Sequence, residues 1–253
     1  MTQRPVTVLF ALIASAAIAL SCTDIPTAND AVLSFSVNPL PSPSVVVGDS
    51  LRDSAGVVKP ITVTVFNYQG GLAGAPKVRF STVDRGIHVD SLTGIVTGDS
   101  VRASARILVS VGAVQAPLLV GVALKPDSLA PFNIRDSLSY SLTDTTLNIS
   151  PALGVKVLHG RGGDSAVVGY RVSFQIVRPT GTLAQLINDL GIAATTADTT
   201  DATGVASRRI RLNVAQVTSA ADSVVVLASA SYRGALVRGS PVRLVLKYKL
   251  KSP

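Results

Sequence analysis

An all-β fold, made of two antiparallel sandwiches in tandem, is what this 253-residue sequence predicts, and three observations predict it. Glutamate is absent, so all 15 acidic residues are aspartate. Glu favours helix and Asp does not, so the bias runs against helix along most of the chain. Apolar residues, 47% of the total, recur at every second position in several segments, the period of a half-buried strand. Finally, one plan of strand, double-glycine turn and strand occurs twice. With only 15% charged residues, the composition excludes a disordered chain.

Taken in order, the chain opens with Arg4 and then a charge-free apolar run over residues 6–20, ending in Ala19, Leu20, Ser21 and Cys22. A positive n-region, an apolar h-region and small residues at a cut form an export signal. About 15 apolar residues fall short of the ~20 that a spanning helix needs. The segment resembles the lipobox of bacterial lipoproteins, with Ala19 where the pattern usually has Leu. The resemblance implies cleavage before Cys22, acylation of its thiol and a lipid anchor in the bacterial cell envelope, facing the periplasm or the cell surface. Ala17 and Ala19 also offer small residues for an ordinary secretory cut. Cysteine economy favours the lipobox, because Cys22 is the single cysteine and a lone thiol in an oxidising compartment is a liability unless chemistry consumes it. The expected organisation is a signal peptide over 1–21, a tether over 22–31, a first domain over 32–126 and a second over 127–253. The boundary falls at Lys125, Pro126 and Asp127, a turn-prone stretch.

Alternation carries the strands. Ile61, Val63 and Val65 share one face with Thr62 and Thr64 on the other. Near the end, Val242, Leu244, Leu246, Tyr248 and Leu250 point inward while Arg243, Lys247, Lys249 and Lys251 face water. The repeated plan sets Val63 to Phe66, Gly70–Gly71 and the strand around Phe80 against Val155 to Leu158, Gly162–Gly163 and the strand around Phe174. Residues 101–107 and 205–210 read as further strands, and a final apolar pair closes each unit. Phe66, Phe80 and Phe174 are the expected core aromatics.

Two stretches carry a second resemblance. Thr200, Asp201, Gly204 and Ala206 match the "T-D-x-x-G-x-A" turn of bacterial Ig-like domains of the invasin/intimin type. Val45, Val47, Gly48, Asp49 and Leu51 match the "V-x-V-G-D-x-L" strand and turn of the wider bacterial Ig-like class. The resemblance spans roughly 32–250 and implies two tandem Ig-like antiparallel β-sandwiches after a cleaved signal peptide. An antibody-type domain would add an inter-sheet disulfide and a core Trp, and this chain has neither. One segment departs from the strand pattern. Leu183, Leu186, Ile187 and Leu190 fall at helical spacing, with Thr182 and Gln185 as a capping box and Gly191 as a stop. A short helix is expected there, closing one end of the second sandwich.

Signals for chemistry are weak. His88 stands near Asp84 and Asp90, but no Gly-x-Ser-x-Gly elbow accompanies them, and His159 precedes a glycine turn. The His and Cys clusters of a zinc site are missing. Asp198 with Asp201, and Asp49 with Asp53, bracket loops that a structural calcium could use, though Asx-turns explain these residues more simply. No cofactor, no metal and no enzymatic activity are expected. Tyr68 and Tyr232 are the only aromatic platforms for sugar stacking.

The formal charge is +8, and from residue 128 onward there are 14 Lys and Arg against 7 Asp. Arg208, Arg209, Arg211, Tyr232 and Arg233 form the candidate ligand surface, suited to an anionic envelope polymer or a surface protein. Outward Lys on a terminal strand also discourages edge pairing. Export argues against nucleic acid. The expected function is a non-enzymatic, membrane-anchored binding, adhesion or structural module. The alternative is an accessory spacer subunit of a larger envelope assembly, docking through sandwich edges.

Overall fold

A computed structural model describes residues 31–132, 137–144, 146, 148–160, 162, 165–217 and 222–251. The signal segment, Cys22 and nearly all of the tether lie outside the described residues. Among the described residues no helix is long and apolar enough to cross a membrane. The first part of the chain forms β1 (Val32–Val37), β2 (Ser44–Val46), β3 (Val63–Asn67), β4 (Val78–Thr82), β5 (Ile87–Val89), β6 (Val96–Gly98), β7 (Arg102–Val111) and β8 (Val114–Ala123). The second part begins with β9 (Ser128–Phe132), β10 (Ser137–Tyr140), β11 (Leu153–His159), β12 (Ser165–Ala166), β13 (Arg171–Arg178) and β14 (Ala184–Ile187). It continues with β15 (Ala197–Thr199), β16 (Val205–Leu212), β17 (Ser223–Ser229), β18 (Ser231–Tyr232), β19 (Ala235–Leu236) and β20 (Val242–Leu250).

The two parts repeat one topology. In the first, the sheet order is β2-β8-β7-β4; in the second it is β10-β20-β17-β13, with β15 added at the edge. In both, the opening pair is parallel and the others are antiparallel. The facing sheets pair β1 with β3, and β9 with β11, again alike. Each pair of layers closes on its own apolar core. Leu51, Phe80, Val96, Ile107, Val109 and Val120 fill the first. Val155, Phe174, Ile210, Val226, Leu244 and Leu246 fill the second. Val46 and Ala123, the last residues of β2 and β8, belong to the second core, so apolar packing continues from one sandwich into the next. Burying a Val, Leu or Phe contributes about 1.5–3 kcal/mol, which lets these layers hold without a disulfide.

The final strand follows its alternation. Val242, Leu244, Leu246 and Tyr248 are buried and Arg243, Lys247 and Lys249 exposed; Leu250, expected inward, is exposed at the end of the strand. Phe80 and Phe174 are buried, at 5% and 0% exposure. Phe66 is only half-buried, because Val65 takes the inward position of β3 and period-two geometry turns its neighbour to the other face.

The expected helix over 182–191 is a β-hairpin instead. Ala184–Ile187 forms β14, paired with β16 in the register Ala184↔Leu212 to Ile187↔Arg209. Asn188 turns the chain, its Oδ1 accepting from the amides of Leu190 and Ile192, and Gly191 sits at φ +75° in the turn. Leu183, Leu186 and Ile187 are buried as the apolar pattern requires, but Leu190 is 82% exposed. A free ladder edge on β16 outweighed local helix propensity, a weak preference of under ~1 kcal/mol per residue.

Candidate functional site

Asp49 is where the two sandwiches meet. After β2 the chain turns through Gly48 at φ +72°, and the Asp49 amide donates to Val46 O. This places the Asp49 carboxylate at the end of the first sandwich with its side chain 4% exposed. Oδ1 accepts from the Ser50 amide at 2.8 Å and from Arg52 Nη2 at 2.9 Å. Oδ2 accepts from Arg52 Nε at 3.0 Å and from Arg233 Nε at 2.9 Å. Burial opposes the charge on this carboxylate, but the hydrogen bonds from Arg233, Arg52 and the Ser50 amide outweigh it and hold the group well below the usual carboxylate range. Arg52 also donates from Nη1 to Gly56 O at 2.8 Å, fixing the turn that reaches across.

The second sandwich answers with the β18–β19 hairpin. Its central residues, Arg233 and Gly234, have φ of +51° and +81°. That is the left-handed geometry of a type I′ turn, where Asn-Gly is the usual pair. An arginine there costs about 1–2 kcal/mol, and the ion pair with Asp49 offsets the strain. The two backbones touch: a β-carbon at Gly56 would run into Gly234 N and Arg233 C. Ser44 Oγ donates to Gly169 O at 2.7 Å and Arg171 Nη1 to Pro41 O at 3.2 Å. Tyr170 donates its hydroxyl to Ser231 O, and burial pushes that phenol's pKa up.

The linker is tied into the same network. The Tyr232 ring has Lys125 Nζ 5.9 Å and the Arg233 guanidinium 5.4 Å from its centroid. Lys125 pairs with Asp127 at 2.9 Å, and Asp127 Oδ2 accepts from the Gly160 amide and lies 3.0 Å from His159 Nδ1. The cavity lined by Ser44, Asp49, Arg52, Arg171, Tyr232 and Arg233 holds about 90 Å³. Small-molecule pockets run to ~300–1,000 Å³, so this is a seam that joins domains.

The candidate ligand residues fall in two separate places. Tyr232 and Arg233 belong to the seam. Arg208, Arg209 and Arg211 lie on β16, where each already has a partner. Arg208 is 9% exposed; its Nη1 meets Asp198 at 2.7 Å and its Nη2 donates to Ala197 O. Arg209 pairs with Asp189 at 3.4 Å, and Arg211 Nη2 donates to Gly191 O at 2.6 Å.

The aspartates serve turns and ion pairs. Asp201 Oδ1 accepts from the amides of Thr203 and Val205, with Gly204 at φ +79°. Thr200, 3% exposed, accepts from the Tyr170 amide and donates to Val167 O. In the first sandwich Asp90 makes the same kind of turn to Leu92 and Thr93 before Gly94 at φ +71°, a parallel the sequence comparison missed. Asp84 is taken by Arg106, and His88 is exposed on β5. Asp53 closes an Asx-turn onto Ala55 and Val57. Among the described residues no three His, Cys, Asp or Glu side chains converge as a metal site.

Fold and seam together define a protein of two β-sandwiches joined by a polar clasp. No protein-family model matches the chain, and comparison with curated proteins gives no match. Among solved structures it is similar to the surface-layer protein SbsC, domains 1–6, at 13% identity and a TM-score of 0.33, over 88% of this chain and 28% of that one. It is also similar to invasin, a bacterial integrin-binding protein, at 14% identity and a TM-score of 0.29, over 87% of this chain and 40% of that one. The FdeC adhesin of Escherichia coli is 17% identical at a TM-score of 0.29, over 85% of this chain and 63% of that one. The chain thus spans little more than a quarter of the first of these proteins, and its all-β architecture rests on its own sheets.

Proposed function

We propose that this chain is a non-enzymatic, Ig-like surface module of the bacterial envelope, held to a membrane through an acylated Cys22. Its two sandwiches act as one stiff arm for adhesion or support. The observation that carries this reading is the seam. A buried carboxylate shared by Arg52 and Arg233, with backbone contact between Gly56 and Gly234, suits an arm that holds a fixed angle. A flexible pair of beads would need none of these contacts. Docking through an edge of the second sandwich has less behind it, since its edge strands β14 and β15 run only four and three residues.

Fractionating cells that carry the wild-type chain and Cys22→Ser tests the anchor. The wild type is expected in the detergent-soluble membrane fraction, with mass spectrometry showing diacylglyceryl on the mature N-terminal cysteine; the serine variant is expected in the soluble fraction. An unmodified Cys22 in a membrane-free protein would end this reading.

A further inference from the structure

The arginines of β16 are spent on internal partners, which leaves the positive excess of the second sandwich to be placed elsewhere. It gathers on the outer face of the β10-β20-β17-β13 sheet. On β20, Arg243, Lys247 and Lys249 point away from the core and are exposed. The register sets Arg178 of β13 against Val225 of β17, which in turn faces Val245 of β20, so Arg178 stands on the same face. Between these cations lie Ser137, Ser139, Gln175, Ser223 and Leu227. None of the four strands contains an acidic residue. Among the described residues, none of Arg178, Arg243, Lys247 or Lys249 forms an ion pair, whereas Arg208, Arg209 and Arg233 each do.

Spacing adds to the charge. Residues two apart on a strand lie about 6.8 Å apart on one face, so the row from Arg243 through Lys247 to Lys249 runs in a line of about 20 Å. Of the apolar residues on this face Val225 is 4% exposed and Leu227 and Val245 are half-buried. A line of cations with no protruding apolar wedge fits an extended anionic chain better than a bilayer, which would reward inserted apolar side chains.

We infer that the outer face of this sheet binds a linear polyanion, a polymer bearing phosphate or carboxylate groups, along the row formed by Arg243, Lys247 and Lys249 with Arg178 beside it. This deepens the envelope-module reading and rests on it.

The test uses the purified full chain and measures binding to inorganic polyphosphate and to polyglutamate across a NaCl series. Four neutralised charges give a slope of log affinity on log salt of about −3, from ~0.7 per charge on a single-stranded polyanion. The triple variant Arg243→Gln, Lys247→Gln, Lys249→Gln is expected to lower the slope to about −1 and to weaken binding at least tenfold in low salt. Its melting temperature should stay put, because all three side chains are exposed. A charge-matched control, Lys77→Gln, Arg79→Gln, Arg102→Gln on the first sandwich, should change affinity less than threefold. Preference for polyphosphate over polyglutamate assigns a phosphate polymer, and the reverse assigns a carboxylate one.

Equal losses in both triples would show simple net-charge attraction and overturn the inference. So would failure to bind either polymer, or binding only to phosphatidylglycerol vesicles. A chain acylated at Cys22 that ignores both polymers would leave the envelope module standing and remove only this surface.

Discussion

Replacing Asp49 with Asn tests the seam directly, since the amide keeps the shape and removes the charge. Oδ1 can still accept from Ser50 and Arg52, but the position of Oδ2 becomes an NH₂ group facing two donors, Arg52 Nε and Arg233 Nε. A hydrogen bond to a charged group is worth about 1.5–3 kcal/mol. The Arg52 and Arg233 side chains are 26% and 53% exposed, so water recovers part of the loss, and a net cost of about 2 kcal/mol is expected. For two sandwiches that melt together this is a drop of about 4–8 °C by calorimetry, with the single transition separating into two.

The pH dependence has a fixed sign. Asp49 titrates below its ordinary value of 3.8 when folded. Its contribution is therefore complete above that pH and is lost as pH falls toward the folded value. The gap between wild type and Asp49→Asn should stay constant from pH 8 to 5, then close by about 1.4 kcal/mol per unit below 3.8. A gap under ~0.5 kcal/mol at pH 7, or one unchanged at pH 3, would refute the assignment of the carboxylate as the clasp.

Other outcomes follow from the same geometry. Arg233→Gly should be close to neutral in the wild type, where strain relief and ion-pair loss oppose each other, but stabilising by about 1 kcal/mol in the Asp49→Asn background, as a double-mutant cycle would show. Gly56→Ala should cost more than Gly48→Ala by chemical denaturation, because both pay for a left-handed backbone while only Gly56 meets the opposing backbone. Phe174→Ala should cost about 3–5 kcal/mol in urea unfolding, and Phe66→Ala clearly less, following their burial.

Much of the architecture was legible because it depends on local period. Alternation over residues 242–248, the buried Phe80 and Phe174, and the two-fold repeat all follow from which side of a pleat a residue occupies. The hairpin at Ala184–Ile187 was not legible, because its helical spacing of Leu183, Leu186 and Ile187 buries equally well in a strand once β16 offers a ladder. The seam was hidden for another reason: Asp49 and Arg233 lie 184 residues apart, and no periodicity links them. One hint was available. An Arg-Gly pair stands where a tight hairpin ordinarily takes Asn-Gly, which marks a side chain wanted for something other than its turn. The arginines on β16 looked like a ligand surface because their partners come from other elements, Asp198 from β15 and Asp189 from the turn after β14.

The parallel opening pair of each sandwich has a mechanical consequence. In each sandwich the second strand, β2 or β10, lies parallel beside the last, β8 or β20. Tension drawn between the start of that second strand and the end of the last slides the two past each other, loading their rungs together, whereas an antiparallel pair pulled from one end would peel apart rung by rung. Each sandwich therefore carries one pair of strands laced to resist tugging along the chain.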